Sequence, residues 1–214
     1  MKKLFQGTLL FSLTIAPGFA AALFQGNFAT DNQVALFNIT AASFETLTVE
    51  TYSYAGGTVN STAISSGGFA PAAFLFDNVG DVLTLTNGAC GQVGQDPVTG
   101  NCDDLFFQDS LGPGTFTLAL AVYNNTPVDT ALVDGFVQDG NPGFTCQEAG
   151  TSGSFCDLTT AFGTSRSSNY AISITGADSV EQLGVPEPGS MLLLFAGGLL
   201  MALRRRIRLN SREL

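Results

Sequence analysis

From Gly114 to Tyr123 the chain reads Gly-Thr-Phe-Thr-Leu-Ala-Leu-Ala-Val-Tyr, with a large apolar side chain at every second position. A period of two is the repeat of a pleated strand, whose side chains alternate between faces. Phe116, Leu118, Leu120 and Val122 are therefore expected to line a core, with Thr115, Thr117 and Tyr123 facing out. The alternation recurs: Tyr170, Ile172 and Ile174 share one face, and Leu47 and Val49 alternate with Thr46, Thr48 and Glu50. Phe37 and Ile39 alternate with Asn38 and Thr40, and Leu83 and Leu85 with Thr84 and Thr86. Residues 72–76 form an unbroken apolar run, which fits a strand buried on both faces. Helix formers are scarce between residues 23 and 185, where Gly, Thr, Ser, Asn and Phe are abundant. Gly-, Asn- and Asp-rich turns separate the alternating segments, and no solenoid or propeller repeat is present. These features predict an all-β body, an antiparallel β-sandwich over residues 23–184.

The two ends carry addresses. Lys2 and Lys3 precede the mostly apolar stretch 4–15, which Pro17 and Gly18 end ahead of the small residues Ala20, Ala21 and Ala22. That is the layout of a secretory signal peptide, residues 1–22, cleaved after Ala20 or Ala22. The apolar stretch is too short to span a bilayer. At the other end, residues 189–203 are apolar and run into Arg204, Arg205, Arg206 and Arg208. A helix of that length rises about 22 Å against a hydrocarbon core of about 30 Å, so it makes a weak anchor. Its arginines stay cytoplasmic by the positive-inside rule. Just ahead, Pro186 and Pro188 flank Glu187 and keep the backbone extended.

Pro186-Glu187-Pro188, the apolar segment and the arginine cluster together resemble the PEP-CTERM sorting signal of exported Gram-negative bacterial proteins. The resemblance covers residues 185–208 and leaves 209–214 as a tail. It implies recognition by an exosortase, a transpeptidase-like membrane enzyme, during transient inner-membrane association. Cleavage near the motif and delivery to the cell surface or extracellular matrix would follow. The family further implies an association with extracellular polysaccharide and with biofilm or floc formation.

Two polar stretches, 87–104 and 134–168, interrupt the strands, and each contains two cysteines. Four cysteines allow three pairings, and export makes oxidation the expected state. Cys90–Cys102 and Cys146–Cys156 are the expected bridges, because each closes one loop between neighbouring strands. Such a bridge stabilises by roughly 3 kcal/mol in the chain-entropy model. A zinc site needs paired C-x₂₋₄-C spacings, which this chain lacks.

Asp31-Asn32-Gln33-Val34-Ala35-Leu36-Phe37, Phe74-Leu75-Phe76-Asp77 and Leu111-Gly112-Pro113-Gly114-Thr115-Phe116-Thr117-Leu118 carry a second resemblance. Over residues 25–124 they are similar to pre-peptidase C-terminal domains. Those are small jelly-roll-like β-sandwiches found beside secreted bacterial enzymes and on surface proteins. The resemblance implies a jelly-roll-like body. The cysteine loops and the 134–168 insertion depart from the family's short pattern.

Chemistry is narrowed by what the chain lacks. It has no His and no Trp. His-dependent catalytic units and His-ligated zinc are thereby excluded. The body has no Lys, which removes Ser-Lys catalysis, and Trp, the usual sugar-stacking residue, is missing. Between residues 23 and 188 there are 17 acidic side chains and a single basic one, Arg166. A body so acidic repels nucleic acid and anionic lipid headgroups. Its candidate ligand is Ca²⁺, at Asp77, Asp81, Asp96, Asp103, Asp104 and Asp109, because calcium takes six to eight oxygens and these residues lie among carbonyl-rich turns. The ordered EF-hand spacing is absent, and turn formation is the competing role for the same residues. Tyr52, Tyr54, Phe106 and Phe107 are read as exposed aromatics able to contact carbohydrate; core or cross-strand packing is the alternative. The expectation is a non-catalytic structural or adhesive protein of the bacterial surface or polysaccharide matrix. The alternatives are a carbohydrate- or calcium-binding module and a secreted hydrolase.

Overall fold

The computed structural model describes residues 21–86, 90–160 and 164–184. Residues 1–20 of the expected signal segment, Pro186, Glu187 and Pro188, the apolar stretch and Arg204, Arg205 and Arg206 lie outside these residues, whereas Ala22 already belongs to the first strand. In chain order the elements are β1 (Ala22–Asn27), β2 (Ala35–Ala41), β3 (Glu45–Thr51), β4 (Gly57–Val59), β5 (Thr62–Ile64), β6 (Pro71–Phe76), β7 (Val82–Thr86), β8 (Phe106–Leu111) and β9 (Gly114–Val122). A 3₁₀ turn (Leu132–Asp134), helix α1 (Phe144–Glu148), β10 (Asn169–Thr175) and β11 (Ser179–Leu183) follow. All-β architecture is therefore correct, with one five-residue helix among the described residues.

A four-stranded sheet has the order β1-β10-β3-β8, and a five-stranded sheet has the order β11-β2-β9-β6-β7. Every strand pair is antiparallel. The two sheets face each other across one core. Leu47, Val49, Phe107, Ile172 and Ile174 from the first meet Phe37, Ile39, Leu75, Leu118 and Leu120 from the second. Full burial of each such side chain is worth about 1.5–3 kcal/mol, which is why the period-two pattern determines which face turns inward. The hairpin β4–β5 stands apart as a two-stranded sheet. It turns at Asn60 and Ser61, both at positive φ (47° and 67°), the geometry that two-residue hairpins favour.

The five-stranded sheet is buried on its outer face as well. Ala72, Phe74, Phe76, Ala119 and Ala121 pack under Phe136 and Leu132 from the loop after β9. This explains the continuous apolar run of β6, all six of whose residues are buried. It also explains the small alanines of β9, which let the covering loop approach closely. Leu83 departs from expectation, because it is half exposed. A register shift between Leu75 and Phe76 sets Val82 opposite Phe76, and Val82 is the residue that packs against the outer cluster.

Candidate functional site

Both cysteine loops are closed by their own bridge. Cys90–Cys102 has a Cα–Cα distance of 5.1 Å and Cys146–Cys156 one of 4.8 Å. The second bridge is the deeper: Cys146 and Cys156 are both buried, whereas Cys90 is exposed. Asp31, wholly buried in the turn before β2, ties this loop to the sandwich. Its carboxylate accepts hydrogen bonds from the Gly143 and Thr145 N–H groups and from the Thr145 hydroxyl. The Thr145 hydroxyl in turn accepts from the Cys156 N–H at 2.9 Å. Phe155, beside the bridge, stacks on Phe69 at 6.0 Å, and Phe69 stacks on Phe28 at 5.1 Å.

Arg166 joins the two loops. Its guanidinium lies 3.8 Å from the centre of the Tyr54 ring and pairs with Asp96 at 3.2 Å. It also donates to the Gly68 carbonyl at 2.9 Å and to the Tyr54 carbonyl at 2.8 Å. Burial opposes ionisation of Asp96, but Arg166 and the N–H and hydroxyl of Thr99 outweigh it and hold the carboxyl below its usual range. The Tyr54 hydroxyl donates to Asp157 at 2.6 Å, and burial together with that carboxylate pushes the phenol up to about 12. Next to this, Asp104 accepts the Thr51 hydroxyl at 2.8 Å and the N–H groups of Ser53, Tyr54 and Ala55. With no cation beside it, burial prevails over these bonds and raises the Asp104 carboxyl.

The six aspartates considered for calcium are thus dispersed. Asp96 and Asp104 are buried and committed to internal bonds. The Asp77 carboxylate accepts the Val79 and Asp81 N–H groups and so caps its own turn. Asp103 accepts the Thr159 hydroxyl, and Asp109 accepts the Ser110 N–H. Among the described residues no group of three or more His, Cys, Asp or Glu side chains is gathered closely enough to hold a metal ion. The aromatic set needs correction. Tyr54 is fully buried and Phe107 buried, whereas Tyr52 and Phe106 are half-buried. Tyr54 goes inside because Arg166 covers its ring and Asp157 satisfies its hydroxyl. Phe107 goes inside because its position in β8 points it into the core.

Two clefts are lined by the described residues. One, of about 390 Å³, lies over the five-stranded sheet between Asp77, Val79, Thr117 and Val133. The other, of about 370 Å³, lies on the outer face of the four-stranded sheet. Its floor is Gln25 and Asn27 of β1 with Asn169 and Ala171 of β10; Ile64 and Ser65 wall it, and Tyr52 closes one side. Glycines set this shape. A Cβ on Gly57 would stand 2.7 Å from the Tyr52 ring, so the hairpin reaches its place beside Tyr52 only without a side chain there. Across the floor, the Asn27 amide nitrogen donates to the Asn169 side-chain oxygen at 2.6 Å. That bond leaves the Asn27 oxygen as an acceptor and the second Asn27 hydrogen and the Asn169 nitrogen as donors. Burial, and then the Glu50 carboxylate, push the Tyr52 phenol above its ordinary value, so at neutral pH it stays a protonated donor. The lining contains no charged side chain. Gln25, Asn27 and Asn169 escaped the sequence reading because isolated amides on strands carry no spacing signal; only the β1–β10 register brings Asn27 opposite Asn169.

Comparison with protein-family models, with curated proteins and with solved structures finds no match to this chain. No helix among the described residues is long and apolar enough to cross a membrane.

Proposed function

We propose that the chain is an exported, exosortase-sorted structural or adhesive protein of the bacterial surface or extracellular polysaccharide matrix, without catalytic activity. The observation that carries this reading is the pair of disulfides, each closing one loop, which fits an oxidising environment outside the cytoplasm. The terminal segments support it through their resemblance to a signal peptide and a PEP-CTERM signal. The proposal of a non-catalytic role rests on composition: the body has no His and no Lys, which removes His-dependent and Ser-Lys catalytic units. As to fold, the order β1-β10-β3-β8 facing β2-β9-β6-β7 supports a jelly roll with β11 added at its β2 edge.

The test is fractionation of the producing bacterium followed by intact mass. The expected species lies outside the cytoplasm, starts near residue 21–23, and ends near Pro188. Recovery with Arg204, Arg205 and Arg206 still attached would refute release by cleavage at the motif. A specific observation favours a second, compatible reading: the amide-lined cleft on the four-stranded sheet supports carbohydrate binding.

A further inference from the structure

We infer that this cleft selects uncharged glycan chains and recognises them through the Asn27–Asn169 amide pair with Tyr52. The inference rests on the carbohydrate-binding reading and adds the ligand class and the residues that choose it. A sugar hydroxyl is at once donor and acceptor. The Asn27–Asn169 bond leaves both an acceptor and donors on the cleft floor, the mixture that neutral hydroxyls need. The amides sit on paired strands and are bonded to each other, so their geometry is set before a ligand arrives. Gln25 lies two residues from Asn27 on the same strand face and extends the polar floor along β1. Tyr52 supplies aromatic surface, its hydroxyl being bonded to Glu50, and Ile64 supplies apolar contact. Sites of this kind combine apolar surface with a few convergent polar groups.

Charge decides between glycan classes. The lining offers no guanidinium or ammonium to a carboxylate or sulfate. The chain between residues 23 and 188 carries 17 acidic groups against Arg166, which is already paired to Asp96 and buried. An anionic polysaccharide would therefore meet repulsion with no compensating contact, whereas a neutral chain meets neither.

The experiment is affinity electrophoresis of the full oxidised chain, in a detergent without a sugar headgroup, through gels containing a neutral glucan, a neutral mannan, a neutral galactan or alginate. At least one neutral polymer is expected to retard the protein, and alginate is not. Asn169→Ala and Asn27→Ala should each weaken retardation about five- to tenfold, the worth of one lost hydrogen bond. Tyr52→Ala should weaken it further, while Tyr52→Phe retains the part due to the ring. Thr46→Ala, on the same outer sheet face but away from the cleft, is the control, and unchanged melting temperatures verify that the amide variants fold. Retardation by alginate equal to that by the neutral polymers would overturn the selectivity. Retardation unaffected by the cleft variants would overturn the site while leaving carbohydrate binding in place. No retardation by any polymer, with export and processing observed as above, would overturn the glycan inference and leave the surface role standing.

Discussion

Replacing Arg166 with methionine removes the guanidinium while keeping much of the side-chain volume. Three groups then lose a partner: the buried Asp96 carboxylate, which keeps the Thr99 N–H and hydroxyl, the Gly68 carbonyl, and the Tyr54 carbonyl, which keeps the Gly67 N–H. The side chains of Arg166 and Asp96 are only 6% and 0% exposed, so water does not replace the lost bonds. Breaking a buried pair by removing one member costs about 3–5 kcal/mol, chiefly because a charge is left buried and uncompensated. Against a total stability of about 5–15 kcal/mol this is severe, and for a domain of this size it lowers Tm by about 6–20 °C. The assay is urea unfolding with both disulfides intact, comparing Arg166→Met, Asp96→Asn and the double variant. The double variant should recover much of the loss, because the stranded charge is gone. The pH dependence supplies an independent check. In the wild type the Asp96 carboxyl is held below its ordinary range, so its contribution is complete above the unfolded pKa of about 4 and is lost as pH falls toward the folded value. In Arg166→Met, burial without the cation pushes the same carboxyl up, so that variant gains stability as pH falls through the raised value. The gap between wild type and variant should therefore narrow from pH 7 to pH 4. A single-variant loss under about 1 kcal/mol, a double variant no better than the sum of the singles, or a gap that widens in acid would refute the argument.

Three further outcomes are expected. Asp104→Ala orphans the Thr51 hydroxyl and three backbone N–H groups, each unsatisfied donor costing about 1–3 kcal/mol, so denaturant melts should show a loss of at least 4 kcal/mol; a loss below 1 would show that water reaches the site. Each disulfide closes a short loop worth roughly 3 kcal/mol, but mild reductant should open Cys90–Cys102 first, since Cys146–Cys156 is buried; peptide mapping of the partly reduced protein reads the order, and the reverse order would contradict it. Ca²⁺ and Mg²⁺ at matched ionic strength should raise Tm equally by screening the acidic surface, because Asp96 and Asp104 already spend their oxygens internally; a rise several degrees larger for Ca²⁺ would establish a specific calcium site.

How far the fold could be read in advance depended on whether the signal was local. Tyr170, Ile172 and Ile174, or Leu118 and Leu120, announce their face because alternation along one strand is fixed by backbone geometry alone. Cys90 with Cys102 and Cys146 with Cys156 were similarly accessible, being separated by only 12 and 10 residues. Leu83 differs from its expected place because it is the extra residue of a bulge in β7, which depends on the partner strand β6. Tyr54 was misplaced because its burial depends on Arg166 and Asp157, each more than a hundred residues away in sequence. A lone cation among 17 carboxylates signals that Arg166 must pair, yet nothing in the order of residues says with which.

The sequence by itself determined an all-β body, an inward face for most strands, two looped disulfides and an acidic, His-free chemistry. All of these follow from composition or from periodicities that a strand imposes on its own residues. The tertiary structure decided that Asp31, Asp96 and Asp104 are internal fastenings, where the sequence offered Asp96 and Asp104 as turn or calcium residues, and that Asn27 and Asn169 meet across a cleft. Those outcomes arise from register and burial between distant segments. A carboxylate on an acidic loop and one locked under Tyr54 have the same local sequence signature, and only the low-dielectric interior, with its demand that every polar group be satisfied, distinguishes them.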